Sequence, residues 1–113
     1  MASTKKPVLL FTTYQFRNGT NLTVRRGIQW ASKIAVGDTI WLQGREGGER
    51  QKALVTGLKL KRFRDIREQD LSVEHDPQCR SWNDLFATMK KLYADFDEME
   101  IVTMLYFTTN EAE

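Results

Sequence analysis

Alternation of apolar and polar residues predicts five β-strands, which cover residues 8–13, 21–25, 39–43, 53–63 and 101–108. Gly57 interrupts the long fourth strand, and a glycine inside a strand indicates a bulge or bend that curves the sheet. Between the third and fourth strands, residues 45–50 contain two adjacent glycines, and we interpret them as an exposed loop.

Helical spacing of apolar residues predicts two helices between the fourth and fifth strands. Asp65 and Glu68 resemble a capping box that opens a short helix ending at Leu71. Ser81 resembles the N-cap of a longer helix with one apolar stripe, formed by Trp82, Leu85, Phe86, Met89, Leu92, Tyr93 and Phe96. We expect Trp82, Phe86, Met89 and Tyr93 to face the sheet. Residues 28–34 predict a further helical turn that packs Trp30.

This order of elements predicts an α+β fold that is mainly β, with a small curved sheet or barrel and two flanking helices. The 113 residues, 41% apolar and 28% charged, are typical of one globular domain. We expect a single domain over residues 1–113, with its core in residues 8–108. The length excludes a TIM barrel and a full dinucleotide-binding sheet.

Few residues are available for metal or disulfide chemistry. The single cysteine, Cys79, excludes an internal disulfide, and it is consistent with a reducing cytoplasm. The single histidine, His75, excludes a histidine-based metal cage. The apolar run at residues 8–11 is far shorter than a membrane span. We therefore predict a cytoplasmic protein that uses no metal or cofactor and does not bind membranes.

Charge is distributed very unevenly along the chain. Residues 1–67 carry 14 Lys and Arg against four acids, whereas the remaining 46 residues carry three bases and eleven acids. A basic segment of this kind indicates a surface for a polyanion. The alternative, which charge patterning leaves open, is that the two halves pair with each other in the folded domain.

Several short segments in these elements resemble the ASCH family, a group of small β-barrel domains related to the PUA fold. The resemblance covers residues 8–108 and rests on Thr23-Val24-Arg25, Val36-Gly37-Asp38-Thr39-Ile40, Arg62-Phe63-Arg64-Asp65-Ile66 with Glu68 and Leu71, the helix at residues 85–93 and the strand at residues 102–107. It implies a PUA-like barrel whose ligand is RNA or a modified nucleoside.

The family's signature, Gly-x-Lys-x-x-(Glu or Thr)-x-Arg, lines a cleft. With Arg25 as its final Arg, Thr23 falls on the Glu/Thr position, as in the branch similar to bacterial N4-acetylcytidine amidohydrolases. In that branch the Thr is the nucleophile and the Lys its base, but here Thr20 occupies the Lys position and Asn18 the Gly position. Because a hydroxyl needs a base to attack at neutral pH, Thr20 favours binding over hydrolysis unless another lysine, such as Lys33, reaches the cleft.

The resemblance places the family's catalytic acid after the short helix, where Glu74 is the best candidate and Asp76 its substitute. Judged from the residues alone, this segment is more typical of a polar loop with a solvated His75 and an exposed Glu74. Cys79 is more typical of a small buried residue than of a thiolate nucleophile.

Thr20, at the family's Lys position, is a candidate for contact with RNA or a nucleoside, and basic and aromatic residues supply the remaining candidates. Arg25 and Arg26 are candidates for contact with a phosphate or a base edge, and the alternative is an ion pair with an acid of the second half. Trp30 is a candidate for base stacking, although burial is the more common role of such a residue. A dense basic strand end comprises Lys59, Lys61, Arg62 and Arg64. It is suited to contact with backbone phosphates, and the alternative is a solvated strand face.

The leading hypothesis is a domain that binds RNA or a modified nucleoside in a cleft lined by Thr23 and Arg25. The alternative is an amidohydrolase acting on N4-acylcytidine, or an RNA-cleaving enzyme, with Thr23 as nucleophile and Glu74 as acid/base. A third hypothesis is a protein-interaction module whose acidic second half docks a basic partner.

Overall fold

The computed structural model describes residues 7–109, which form a five-stranded sheet with two α-helices. Residues 1–6 and 110–113 of the predicted domain lie outside the described residues. The strands are β1 (Val8–Phe11), β2 (Thr20–Arg26), β3 (Thr39–Gly44), β4 (Gly47–Arg62) and β5 (Ile101–Thr108), and the helices are α1 (Gln29–Lys33) and α2 (Trp82–Leu92). Short 3-10 helices cover Phe63–Asp65, Glu68–Val73 and Pro77–Cys79. The predicted fold, α+β and mainly β, is confirmed.

The sheet curls until its two edge strands approach each other. The strand order is β1-β3-β4-β5-β2, with β1 parallel to β3 and the other pairs antiparallel. On the free edge of β2, Leu22 forms an isolated parallel bridge with Glu74. Across the gap, a guanidinium N–H of Arg25 in β2 donates to the carbonyl oxygen of Leu10 in β1, at 2.9 Å. The sheet is therefore a half-barrel with an open seam between β1 and β2.

The curvature has an identifiable cause in β4. The pairing register between β4 and β5 shifts between Val55 and Gly57, which confirms the predicted bulge. A Cβ atom at Gly57 would lie 3.1 Å from Cδ1 of Tyr106, so glycine lets that ring pack directly against the backbone. The bulge bends the strand and allows β2 to reach the vicinity of β1.

Two apolar cores pack against opposite faces of β5. Val102 and Met104 belong to the core beneath α2, and Leu105 and Phe107 belong to the core inside the curl. The first core is centred on Phe63, which is fully buried. The ring of Phe63 lies 5.1–5.5 Å from three other aromatic rings, those of Trp82, Phe86 and Phe96.

The long helix begins as predicted and ends earlier. The Ser81 hydroxyl accepts a hydrogen bond from the Asp84 N–H at 3.1 Å, which confirms the N-cap. Met89 is buried, whereas Phe86 is only partly buried. The expectation that Tyr93 faces the sheet is wrong: the helix ends at Leu92, and Tyr93 is 36% exposed.

Two local predictions are also wrong. Gly44 pairs with Gly47, so β3 and β4 are joined by a turn of Arg45 and Glu46, and the strand already starts inside the predicted loop over residues 45–50. Asp65 does not cap a helix; it ends the first 3-10 helix. The next helix starts at Glu68, where the Asp70 carboxylate accepts from the Arg67 N–H at 3.3 Å. Short polar stretches such as these follow the pairing of the strands around them rather than their own propensity.

Candidate functional site

A cleft of about 300 Å³ opens at the seam of the half-barrel. Residues 10–13 form one wall, residues 23–26 of β2 form the floor, and the segment from Glu74 to Cys79 together with α2 forms the other wall. We call this space the Thr23 cleft. It exists because β1 and β2 are edge strands that approach each other without pairing.

Thr23 and Arg25 meet on the floor of the Thr23 cleft. Alternation along β2 places both side chains on one face. The Nε–H of Arg25 donates to Oγ1 of Thr23 at 3.1 Å, and a second N–H makes the bond to Leu10 across the seam. The guanidinium carbon also lies 4.6 Å from the ring centroid of Phe11. In the described part of the chain these are the side-chain hydrogen bonds of Arg25, and a guanidinium has five N–H groups in all.

The charged guanidinium of Arg25 is partly desolvated. Burial lowers the pKa of Arg25 to about 10, although the nearby Glu74 carboxylate opposes this shift. The guanidinium therefore stays protonated at neutral pH. A cation that has already lost much of its water is well suited to bind an anionic or hydrogen-bonding ligand.

Glu74 is buried, so the expectation of an exposed carboxylate is wrong. Only 2% of the residue is exposed, because the bridge to Leu22 draws the segment onto the edge of β2. Its Oε1 atom lies 2.7 Å from Nδ1 of His75 and accepts from the Asp76 N–H at 3.1 Å. The chain thus places an acceptor in the same cleft as the guanidinium donors of Arg25.

His75 is not a solvated loop residue either. It is 9% exposed, and its ring packs edge-on against Phe11 with centroids 4.9 Å apart. Its Nδ1 atom is close to two acceptors, the Glu74 carboxylate and the Leu22 carbonyl oxygen at 3.2 Å, so Nδ1 carries a proton. His75 therefore orients the carboxylate of Glu74.

Cys79 is a buried residue, as predicted. It is 4% exposed, and its sulfur lies 3.5 Å from Oγ1 of Thr88. Burial raises the pKa of the thiol to about 11, which keeps it protonated at neutral pH. The Cys79 thiol is therefore a poor nucleophile at neutral pH.

Comparison with known proteins identifies the architecture. No family model matches the sequence, and no curated protein matches it either. Among solved structures, the chain is similar to the crystal structure of an ASCH domain from Lactobacillus crispatus JV V101, with a TM-score of 0.56 and 13% sequence identity. The match covers 78% of this chain and 62% of that one, so the chain spans less than two thirds of that domain's length. The chain has the ASCH fold.

The Thr23 cleft contains two cations that the sequence analysis missed. Arg45, in the turn between β3 and β4, and Lys91, near the end of α2, both line it. The backbone N–H of Arg45 donates to the Phe11 carbonyl oxygen at 3.0 Å, which fixes the turn beside β1. The sequence carries no local signal for either position, because both depend on how the turn and the helix pack against the seam.

Arg26 also lines the Thr23 cleft, but its charge is already paired. It donates two hydrogen bonds to Glu100, at 2.8 and 3.0 Å, and one to Asp95 at 3.2 Å. These bonds hold the pKa of both carboxyl groups below their usual range. Its guanidinium carbon lies 5.0 Å from the ring centroid of Tyr93. The pairing joins the basic and acidic halves of the chain at one point.

Thr20 and Lys33, the two positions where a lysine base was expected, lie outside the Thr23 cleft. Thr20 is exposed at the start of β2 and does not line it. Lys33 does not line it either, and its ammonium lies 5.3 Å from the ring centroid of Trp30. Trp30 is partly buried against the inner core and lines a second pocket beside the cleft.

The basic strand end is a separate surface of the ASCH fold. It lines neither the cleft nor the pocket beside Trp30. Lys61 pairs with Asp70 at 3.6 Å, and Lys59 lies 5.7 Å from the ring centroid of Tyr106. Arg62 donates to the Met99 carbonyl oxygen at 3.0 Å, and Arg64 contacts the sulfur of that residue at 3.4 Å.

Residues 7–109 lack two further features. No group of three or more His, Cys, Asp or Glu side chains is arranged to hold a metal ion there. The same part of the chain contains no helix with the length and apolar character needed to cross a membrane.

Proposed function

We propose that this ASCH-fold chain binds RNA by taking one nucleoside unit into the Thr23 cleft. The observation that carries the proposal is the convergence of Thr23, Arg25 and Glu74 on one open cleft from two distant parts of the chain. The fold similarity supports the same class of ligand through the resemblance noted above.

The polar groups of the cleft suit the edges of a nucleobase and its sugar. Arg25 offers N–H donors, while Glu74 and Asp76 offer carboxylate acceptors. Carboxylates accept from exocyclic amino groups such as that of cytosine, and guanidinium groups donate to carbonyl oxygens and phosphates. Arg45 and Lys91 add positive charge to the walls, which favours a nucleoside that belongs to a polyanion.

The basic strand end has a different role in this proposal. Lys59, Lys61, Arg62 and Arg64 lie apart from the cleft and carry partly or fully exposed charges. Such groups contact backbone phosphates without reading sequence. They add affinity to RNA binding, whereas the Thr23 cleft selects the nucleoside.

The decisive experiment is fluorescence anisotropy with labelled single-stranded RNA, comparing wild type with Glu74→Gln. Removing a negative charge strengthens binding to a polyanion unless the carboxylate contacts the ligand. We expect Glu74→Gln to weaken binding about 10-fold or more, because a hydrogen bond to a charged group is worth roughly 1.5–3 kcal/mol. The matched control is Glu98→Gln, an exposed acid outside the cleft, which should bind equally well or slightly better.

Two results would contradict this proposal. One is the absence of RNA binding by the wild type even in dilute buffer. The other is binding by Glu74→Gln that is as tight as binding by Glu98→Gln. A circular dichroism spectrum of each variant establishes that the fold is retained.

The burial of Glu74 in the Thr23 cleft also favours a second function, hydrolysis of an N4-acylcytidine. In this mechanism the Thr23 oxygen attacks the acyl carbon, its proton passes to a base, and the amino group leaves with a proton. Water then releases the acyl group from Thr23. Arg25 is placed to stabilise the oxyanion, and Glu74 is the available base.

Mass spectrometry of N4-acetylcytidine incubated with the protein tests this second function. We expect slow turnover or none, because Thr20 stands at the position of the family's lysine base and a carboxylate is a weak base for a hydroxyl. If turnover occurs, Thr23→Val should abolish it, while the exposed control Thr56→Val should not. Turnover that survives Thr23→Val would exclude Thr23 as the nucleophile.

A further inference from the structure

A second pocket, of about 230 Å³, adjoins the Thr23 cleft. We call it the Trp30 pocket, because Trp30, together with Gln29 of α1, forms its far side. The two spaces have a common wall formed by Leu10, Arg25, Arg26, Arg45 and Tyr93. A ligand that fills the Thr23 cleft can therefore extend along this wall into the Trp30 pocket.

The two spaces differ in charge. The Thr23 cleft contains two carboxylates, Glu74 and Asp76, whereas the Trp30 pocket is lined by three arginines and no acid. Arg26 is neutralised by its acidic partners, as described above. Arg25 and Arg45 remain, and within residues 7–109 neither has an ion pair. The common wall is therefore suited to an anion, and the Thr23 cleft to a neutral group with hydrogen-bond donors.

We infer that the Trp30 pocket is a second nucleotide subsite, so that the ligand is an RNA chain of at least two linked nucleotides rather than a free nucleoside. The first nucleoside occupies the Thr23 cleft, and the connecting phosphate lies against Arg25 and Arg45. The next base packs against Trp30. This inference rests on the proposed function and specifies the class of its ligand.

The aromatic side of the pocket supports a base at this position. Trp30 lines the pocket and is only partly buried, and it packs against the inner core. The Lys33 ammonium adds positive charge beside the ring, 5.3 Å from its centroid. Bases pack on tryptophan with little dependence on sequence, and such a contact raises affinity about 5- to 150-fold.

Calorimetric titration with three probes tests the inference: cytidine, cytidine monophosphate (3′ and 5′ forms) and the dinucleotide CpC. The dinucleotide carries less negative charge than either monophosphate, so non-specific attraction favours the monophosphates. Two subsites favour the dinucleotide, and we expect CpC to bind at least about 5-fold more tightly than either monophosphate. Equal or weaker binding of CpC would overturn the inference and leave the proposed function intact. Absence of binding by all probes and by a longer single-stranded RNA would overturn both.

The chain offers matched controls for the variants. Trp41 is also partly buried and also lies near a lysine, with the Lys52 ammonium 5.8 Å from its ring centroid, but it lines neither space. We expect Trp30→Ala to remove the advantage of CpC over the monophosphates and Trp41→Ala to preserve it. Equal advantages in the two variants would overturn the inference.

A second pair of variants does not depend on core packing. Arg45 and Arg50 are both exposed in the β3–β4 hairpin, and only Arg45 lines the common wall. Arg45→Ala should weaken binding of CpC about 10-fold more than it weakens binding of cytidine, which has no phosphate. Arg50→Ala should change neither. A loss that is the same for cytidine and CpC would contradict the placement of the phosphate.

Discussion

Replacing Arg25 by Met distinguishes a residue kept for ligand binding from one that holds the seam closed. Methionine has a comparable length and retains apolar contact with the Phe11 ring, which lies 4.6 Å from the guanidinium carbon. The substitution removes the positive charge and the hydrogen bonds to Thr23 and Leu10. Arg25→Met therefore tests what the charge does, with little change in packing volume.

The expected loss of folding stability in Arg25→Met is the difference between two opposing contributions. Each hydrogen bond from a charged donor contributes about 1.5–3 kcal/mol to stability, so the loss of two costs roughly 3–6 kcal/mol. Against this, burial lowers the pKa of Arg25 from 12.5 to about 10. That shift corresponds to roughly 3 kcal/mol by which folding disfavours the charged form. The net destabilisation should therefore lie below about 3 kcal/mol, which a domain of this size tolerates.

Urea unfolding and RNA anisotropy, measured on the same preparations, provide the assay. We expect Arg25→Met to remain folded with an unchanged m-value and to bind RNA at least about 10-fold more weakly. The control is Arg50→Met, because Arg50 is exposed and bonds only to the Gln43 side chain in the described residues. Arg50→Met should bind RNA only slightly more weakly than the wild type, because it loses one surface charge, and this small loss should depend on salt.

Two results refute this reasoning. A destabilisation above about 4 kcal/mol would mean that Arg25 chiefly holds the seam together. Unchanged RNA affinity in a folded Arg25→Met protein would mean that the ligand does not contact Arg25.

Three further predictions concern the basic surface, the core and the thiol. Alanine at Lys59, Lys61 and Arg62 should weaken binding to all RNA sequences alike and flatten its salt dependence by about two charges, since Lys61 is paired with Asp70; an unchanged slope would contradict this. Phe63→Ala should cost about 3–5 kcal/mol and lower the melting temperature by roughly 12–20 °C, and a fall under about 4 °C would show that Phe63 is not central to the core. At pH 8, Cys79 should react with iodoacetamide about 100-fold more slowly in the native protein than in denaturant, because burial raises its pKa to about 11; rapid native labelling, read by mass spectrometry, would contradict the burial.

Local pattern was sufficient to predict the elements that have a strong period. The strands alternate with a period of two, and their existence and order were predicted correctly, including the bulge at Gly57. The N-cap at Ser81 was predicted for the same reason, since a cap depends on a few neighbouring residues. The end of α2 was not predicted correctly. Tyr93 continues the apolar stripe in the sequence, but the helix already ends at Leu92.

In the candidate site, too, local pattern predicted one part and failed to predict another. Alternation in β2 places Thr23 and Arg25 on one face, and the structure brings Nε of Arg25 within 3.1 Å of the Thr23 hydroxyl. The state of Glu74 could not be predicted, because its burial depends on a bridge to Leu22, which lies 52 residues earlier in the chain. No local signal indicates such a contact.

The sequence by itself determined that five strands form, that α2 starts after Ser81 and which β2 side chains share a face, because these properties depend on residues that are near neighbours along the chain. Only the tertiary structure decided that Glu74 is buried, that Arg26 is paired with Glu100, and that Arg45 lies beside the cleft. The physical reason is that the cleft forms at the seam where a curled sheet fails to close. The residues at that seam are distant in sequence, and their contacts, burial and charge exist only once the sheet has curled.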